Sequence, residues 1–319
     1  MKLNVISARV PAGAETYKPE MTRTAVDVML ASHPLLPLVE FHDIIGDAEY
    51  VENKQNITGG AGRVKGTDFS AANAARDYQA PALKIFGDAK TIDQAEQRRG
   101  KNMNDFAQRV LTSLSRNAGL NFANKLVHGA TSTSMWDGIA VLCAASQKLA
   151  LATNGAVIPL GNSDANRALQ QAFFEALDTI IGYVTGGVSA LLVNSKLHAR
   201  ITNVYREAFT YVVTDATVGV PVPRYNGIPF VPMGYDASGN ENLPFTETQG
   251  TGGSASTTCS SIYAVSFAEA DQLSVASNTG VNVYFGKSGE KYRINPEGDF
   301  VPTLFSTKAI AALTGIKLS

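Results

Sequence analysis

The stretch "NITGGAGRVKGTDF", Asn56 to Phe69, gathers glycines and two basic residues into a few positions, as a phosphate-binding loop would. A Walker loop needs Gly-x-x-x-x-Gly-Lys-Ser/Thr, so that backbone N–H groups wrap the phosphates and the lysine reaches them. Here the order is Lys65-Gly66-Thr67. A dinucleotide fingerprint needs Gly-x-Gly-x-x-Gly, but Gly60, Gly62 and Gly66 run one residue too long. The spacing favours glycine as a source of flexibility and positive φ at an exposed hairpin tip.

Other reactive types are scattered. Neither "GVSAL" nor "GGSAS" supplies the Gly-x-Ser-x-Gly elbow of an α/β serine hydrolase. His33, His42, His128 and His198 form no His-Glu-x-x-His and no helical pair, so each reads as a structural or surface histidine. Glu269 and Asp271 stand two apart after an expected strand, and a solvated turn is their default reading. Asp236, Asn240 and Glu241 offer oxygen ligands without calcium-loop spacing. Cys143 and Cys259 lie far apart with no Cys-x-x-Cys, which opposes a zinc module or a disulfide framework and suits a reducing compartment. No catalytic residue, cofactor or metal site is therefore expected.

Composition narrows the classes further. The formal net charge is −1 and charged residues make up 17% of the 319, below the usual quarter, while 45% are hydrophobic. Such a surface suits extensive protein contact. With so little net charge there is no electrostatic footprint of a dedicated nucleic-acid binder, which would need Lys and Arg clustered on one face, so sequence-specific DNA recognition is not expected. The N-terminal "MKLNVISARVPAG" has an apolar run broken by Arg9, so no secretory signal is read, and no run approaches a membrane span.

Several elements are expected. A loose arm precedes a short helix from Met21. Residues 46–85 read as a long hairpin with a glycine-rich middle and no core of its own. From Asp93 to His128 apolar residues recur at three- and four-residue steps, predicting one long helix of about 45 Å at 1.5 Å per residue, with an Asp105–Arg109 pair on its wet side. Gly119 weakens that helix by about 1 kcal/mol relative to alanine. A second helix begins at Ser163 or Asp164 and should pack on a sheet. "VSALLVN" is a buried strand, Ser195 caps a further helix, and Asn226-Gly227 joins two strands kept near a sheet rim by their prolines. Residues 234–260 form a long surface loop, and "SIYAVSF", "VNVYFGK" and "EKYRIN" are strands.

This order, with "ALKIFGDAKTIDQAEQRRGKNMNDFAQRVL", "FANKLVHGATSTSMWDGIAVL", "SALLVNSKLHARITNVYREA", "PVPRYNGIPFVPMG" and "INPEGDFVPTLFSTKAIAALTGI", resembles the HK97-fold major capsid proteins of tailed bacteriophages over nearly the whole chain. The resemblance implies an α+β fold: an N-terminal arm at 1–45, an extended E-loop at 46–85, a P-domain with its spine helix at 86–134, an α/β A-domain at 135–275, and returning P-domain strands at 276–319. It implies hexamers and pentamers of one chain closing an icosahedral virion capsid, built in the host cytoplasm around double-stranded DNA that is contacted non-specifically. A portal, decoration proteins and a separate scaffolding protein are further expected partners, the last because the arm and hairpin follow within about fifty residues of Met1. No membrane is involved. Gly59, Gly60, Gly62, Arg63, Lys65 and Gly66 would form the E-loop tip, touching neighbouring subunits. Some relatives join an E-loop lysine to a neighbour's asparagine. Lys54 and Lys65 lie in the matching loop, but no partner asparagine or catalytic acid stands out, so a non-covalent shell is expected. Two alternatives stay open: an encapsulin-like compartment, and an enzyme with an unrecognised site.

Overall fold

The computed structural model describes residues 19–48, 51–52, 65, 78–79, 81–93, 95, 103–208, 224–269, 271–288 and 290–318. The chain opens with helix α1 (Pro19–Ala31), then strands β1 (Phe41–Asp43), β2 (Val51–Glu52), β3 (Tyr78–Gln79), β4 (Lys84–Gly87) and β5 (Lys90–Asp93). Helices α2 (Met103–His128) and α3 (Ile139–Leu142) follow, then β6 (Lys148–Ala150), β7 (Ala156–Val157) and α4 (Asp164–Tyr183). Next come β8 (Ala190–Val193), α5 (Ser195–Ala208), β9 (Arg224–Tyr225), β10 (Ile228–Pro232) and β11 (Glu247–Gln249). The chain closes with β12 (Ser256–Val265), β13 (Leu273–Ser277), β14 (Val281–Ser288), β15 (Lys291–Leu304) and β16 (Ile310–Lys317).

Among the described residues these strands build two large sheets. A six-stranded sheet runs β1-β13-β15-β14, with β4 and β5 both pairing on β15. An eight-stranded sheet runs β6-β16-β12-β8-β10-β9, with β11 beside β12 and β7 beside β16. The second is buried on both faces, so its central strands read as continuous apolar runs with a hidden period of two. In β8, Leu191 and Val193 pack with α4 and α5, through Phe173, Leu177, Ile180, Leu197 and Ile201. Ala190 and Leu192 face the opposite way, into a core shared with α2 and the six-stranded sheet. Phe122 of α2 is the pivot of that core, its ring centroid 5.3 Å from Phe300, 5.4 Å from Phe86 and 5.4 Å from Trp136.

Several local expectations hold. Ser163 caps α4 by accepting from Asn166 N at 3.3 Å. Asn226 and Gly227 take φ of 50° and 81°, the positive pair that a type I′ hairpin between β9 and β10 demands. Three expectations are corrected. Asp93 ends a strand, Lys90–Asp93, paired antiparallel to Lys291–Ile294, so the long helix does not start there; it is described from Met103, and residues 94 and 96–102 lie outside the described residues. The cap of α5 is Asn194, whose Oδ1 accepts from Lys196 N at 2.7 Å, while Ser195 Oγ accepts instead from Gly234 N at 3.1 Å. Residues 234–260 are no surface loop throughout, since they include β11 and bury Asn242, Leu243 and Cys259.

Candidate assembly surface

The root of the hairpin is where the two strands leave the six-stranded sheet. Ala48 bridges Ala82, Val51 pairs with Gln79 and Glu52 with Tyr78, three pairs all equidistant from residue 65. Lys65 is exposed in a turn. The other expected tip residues, Gly59, Gly60, Gly62, Arg63 and Gly66, lie outside the described residues, as does Lys54. The root itself is pinned from both sides. Ile44 N donates to Ser277 O at 2.9 Å, Asn278 Nδ2 to Gly46 O at 3.1 Å and Leu83 N to Asp47 O at 2.9 Å. Beyond it, Lys84–Gly87 pairs antiparallel with Glu297–Phe300. Strand pairing on one side and carbonyl bonds on the other give the arm a stiff base.

Two large apolar side chains stand unburied at this root: Ile45 is 88% exposed and Ile85 73%. In "KIFG" the strand period sends Phe86 inward against Phe122 and Trp136, and Ile85 outward. On the Lys84 side of the strand, away from Ile85, lies a hollow of about 490 Å³, lined by Pro81, Ala82, Lys84, Met135, Trp136 and Pro302 among others. Lys84 Nζ donates across its rim to Thr133 O at 3.3 Å. Covering an exposed isoleucine is worth roughly 1.5–3 kcal/mol, so this surface can hold a partner and has no evident chemistry to perform. Sequence reading passed over both isoleucines. The period-two pattern was the available signal for Ile85, but which face the core takes is decided by β15, two hundred residues on.

The scattered reactive residues do not converge. Glu269 and Asp271 are exposed in the turn between β12 and β13. Asp236 Oδ1 accepts from Ser238 N at 2.9 Å and Asn240 N at 2.8 Å, which holds its carboxyl below the usual range. Glu241 instead pairs with Lys196 at 2.5 Å and accepts from Asn194 Nδ2 at 3.1 Å, so the three oxygen donors serve a turn and a helix start. Burial holds His33, His128 and His198 below the ordinary histidine value. His42 is buried with its ring 6.0 Å from Phe305. Both cysteines are buried free thiols, and burial pushes Cys143 up to about 11, far from thiolate reactivity. Glu247, raised by burial, accepts a short bond from Ser261 that ties β11 to β12. Among the described residues no three of His, Cys, Asp and Glu gather to hold a metal ion, and no helix is long and apolar enough to cross a membrane.

No protein-family model matches the chain, and no curated protein matches it in sequence. Solved structures do match in shape. The SrpI encapsulin of Synechococcus elongatus PCC 7942 superposes with a TM-score of 0.61 at 12% identity, over 89% of this chain and 88% of its own. The capsid of the native GTA particle gives 0.57 at 13% identity, over 96% and 95%. The procapsid of satellite phage P4 gives 0.51 at 12%, over 93% and 99%. The chain has the HK97 capsid fold. At such identities the likeness is one of architecture alone.

Proposed function

We propose that this chain is the structural subunit of a closed protein shell, and within that class the major capsid protein of a tailed bacteriophage. The observation that carries the reading is the HK97 fold over about nine-tenths or more of the chain, matched to shell subunits along almost their whole length. The stiff hairpin root with Ile45 and Ile85 exposed beside it supports the same reading, because a single copy leaves that apolar surface in water. The subunits form hexamers and pentamers around double-stranded DNA, with residues 46–85 reaching a neighbour. A scaffolding protein, a portal and decoration proteins complete the particle in the host cytoplasm. The chain performs no catalysis.

An encapsulin-like compartment is the second reading, favoured by the TM-score of 0.61 to the cyanobacterial encapsulin. Expression followed by electron microscopy tests both. Hollow particles of uniform size are expected, and a chain that stays monomeric, with or without co-expressed scaffold, would sink the shell reading. Particle contents then separate the two: nuclease-protected DNA in particles from infected cells supports the capsid, and a co-purifying protein cargo supports the compartment.

A further inference from the structure

We infer that the outward face of α2 between Gln108 and Arg116 is a contact for the phosphate backbone of duplex DNA. It rests on the shell reading for where duplex would be met. Its own grounds are local. Gln108, Arg109, Thr112, Ser113 and Arg116 are all exposed, and together they line an open hollow of about 620 Å³. Neither arginine is paired with a carboxylate among the described residues. The opposite face of the helix is spent on the core through Val110, Leu111, Leu114 and Ala118.

Charge singles this face out. Helix α2, Met103–His128, holds three basic residues, Arg109, Arg116 and Lys125, against one acid, Asp105. The rest of the chain must then carry three more acids than bases to reach the net charge of −1. A nearly neutral protein thus concentrates positive charge on its longest helix. Asp105 precedes Arg109 by four residues in the sequence, and ion pairs at that spacing on a helix surface are weak enough for a phosphate to displace.

The chemistry of the face suits phosphate better than an acidic protein. Guanidinium forks, the Ser113 hydroxyl and the Gln108 amide are donors of the kind that proteins direct at phosphate oxygens, while Thr112 Oγ1 donates to Gln108 O at 2.9 Å. A protein interface would want a buried aromatic or aliphatic anchor, and none of these five side chains supplies one. Arg109 and Arg116 are seven residues apart, about 10 Å along the helix at 1.5 Å per residue. Phosphates three steps apart on one strand are separated by about 10 Å along the duplex axis at 3.4 Å per step. No side chain here is placed to read bases, so the contact is indifferent to sequence.

The test is binding of the full-length chain to a short fluorescent duplex of mixed sequence, titrated across a salt series. Two neutralised phosphates contribute a slope of about −1.8 to log K against log salt. The Arg109→Gln/Arg116→Gln variant should flatten the slope by about that amount, and each single substitution by about half. Arg109→Lys/Arg116→Lys should keep the slope. Lys90→Gln/Lys291→Gln, which removes exposed cations elsewhere, should keep it too. A glutamine variant with the wild-type slope, or a lysine control that loses as much, overturns the inference. So does arginine-dependent binding of poly-glutamate without an effect on duplex, which would give the face to an acidic protein. Electron microscopy of the same preparations keeps the two claims apart. Normal particles with an unchanged slope sink this inference alone, whereas a flattened slope without particles sinks only the shell reading.

Discussion

His33 shows how one buried side chain sets a pH limit on the fold. Its Nδ1 accepts from Leu35 N at 3.1 Å, so the proton sits on Nε2, which donates to Met233 O at 2.8 Å. A second proton would have to displace the Leu35 bond inside the core. Burial accordingly holds His33 below 6.5 when folded, and it does the same for His128 and His198. The unfolded chain therefore binds more protons as pH falls below about 6.5, and the histidine contribution, complete above that value, is lost on acidification. Urea midpoints should fall between pH 7.5 and 5.5, and His33→Gln should lower the midpoint at pH 7.5 while making that fall shallower. An unchanged pH dependence in the variant would show that His33 does not titrate as described. The sequence displays four isolated histidines and stops there. What selects His33 is a carbonyl 200 residues away, which no local pattern records.

At the level of elements, what was legible was whatever is written within one element. The Ser163 cap, the Asn226-Gly227 turn and the apolar run of β8 are short-range signals, and each stands where the residues place it. What escaped was decided by pairing across the chain. Lys90–Asp93 is strand because Lys291–Ile294 offers it an edge, and residues 242–243 are buried because they wedge under the start of α5, where Asn194 Nδ2 reaches Leu243 O at 2.5 Å. Gly119 is the sharper case. On propensity alone it is a defect in α2, and alanine should strengthen the helix by about 1 kcal/mol. In the fold, a Cβ there would stand 2.5 Å from Met29 O and collide with Ser32 Oγ, because the end of α1 crosses α2 at this residue. Overpacking of that kind costs typically 1–3 kcal/mol, and the obstacle here includes backbone. Gly119→Ala should therefore lower the denaturation midpoint, and a stabilised variant would mean the two helices do not cross this closely.

At the hairpin root the molecule leaves two large apolar side chains, Ile45 and Ile85, in water. Its three cores draw on the helices and the two sheets, and Ile45 and Ile85 contribute to none of them. Substituting exposed residues away from such packing usually changes stability by no more than about 0.5 kcal/mol. Losing an isoleucine from a covered interface removes roughly 1.5–3 kcal/mol, and a shell repeats the contact in every subunit. Folding and assembly should therefore separate cleanly at this root. Ile45→Asp/Ile85→Asp should leave the circular dichroism spectrum and melting temperature of the isolated chain close to wild type, because both changes meet only water. The same variant should fail to form particles, or form them only at much higher protein concentration, because each new carboxylate would be buried unpaired against a neighbour. Sedimentation at matched concentration reads the second effect and melting reads the first. If particles form normally, the hairpin root is not a contact between subunits. If the melting temperature collapses instead, the two isoleucines belong to the fold of the single chain, and the apolar contact that drives assembly must lie elsewhere.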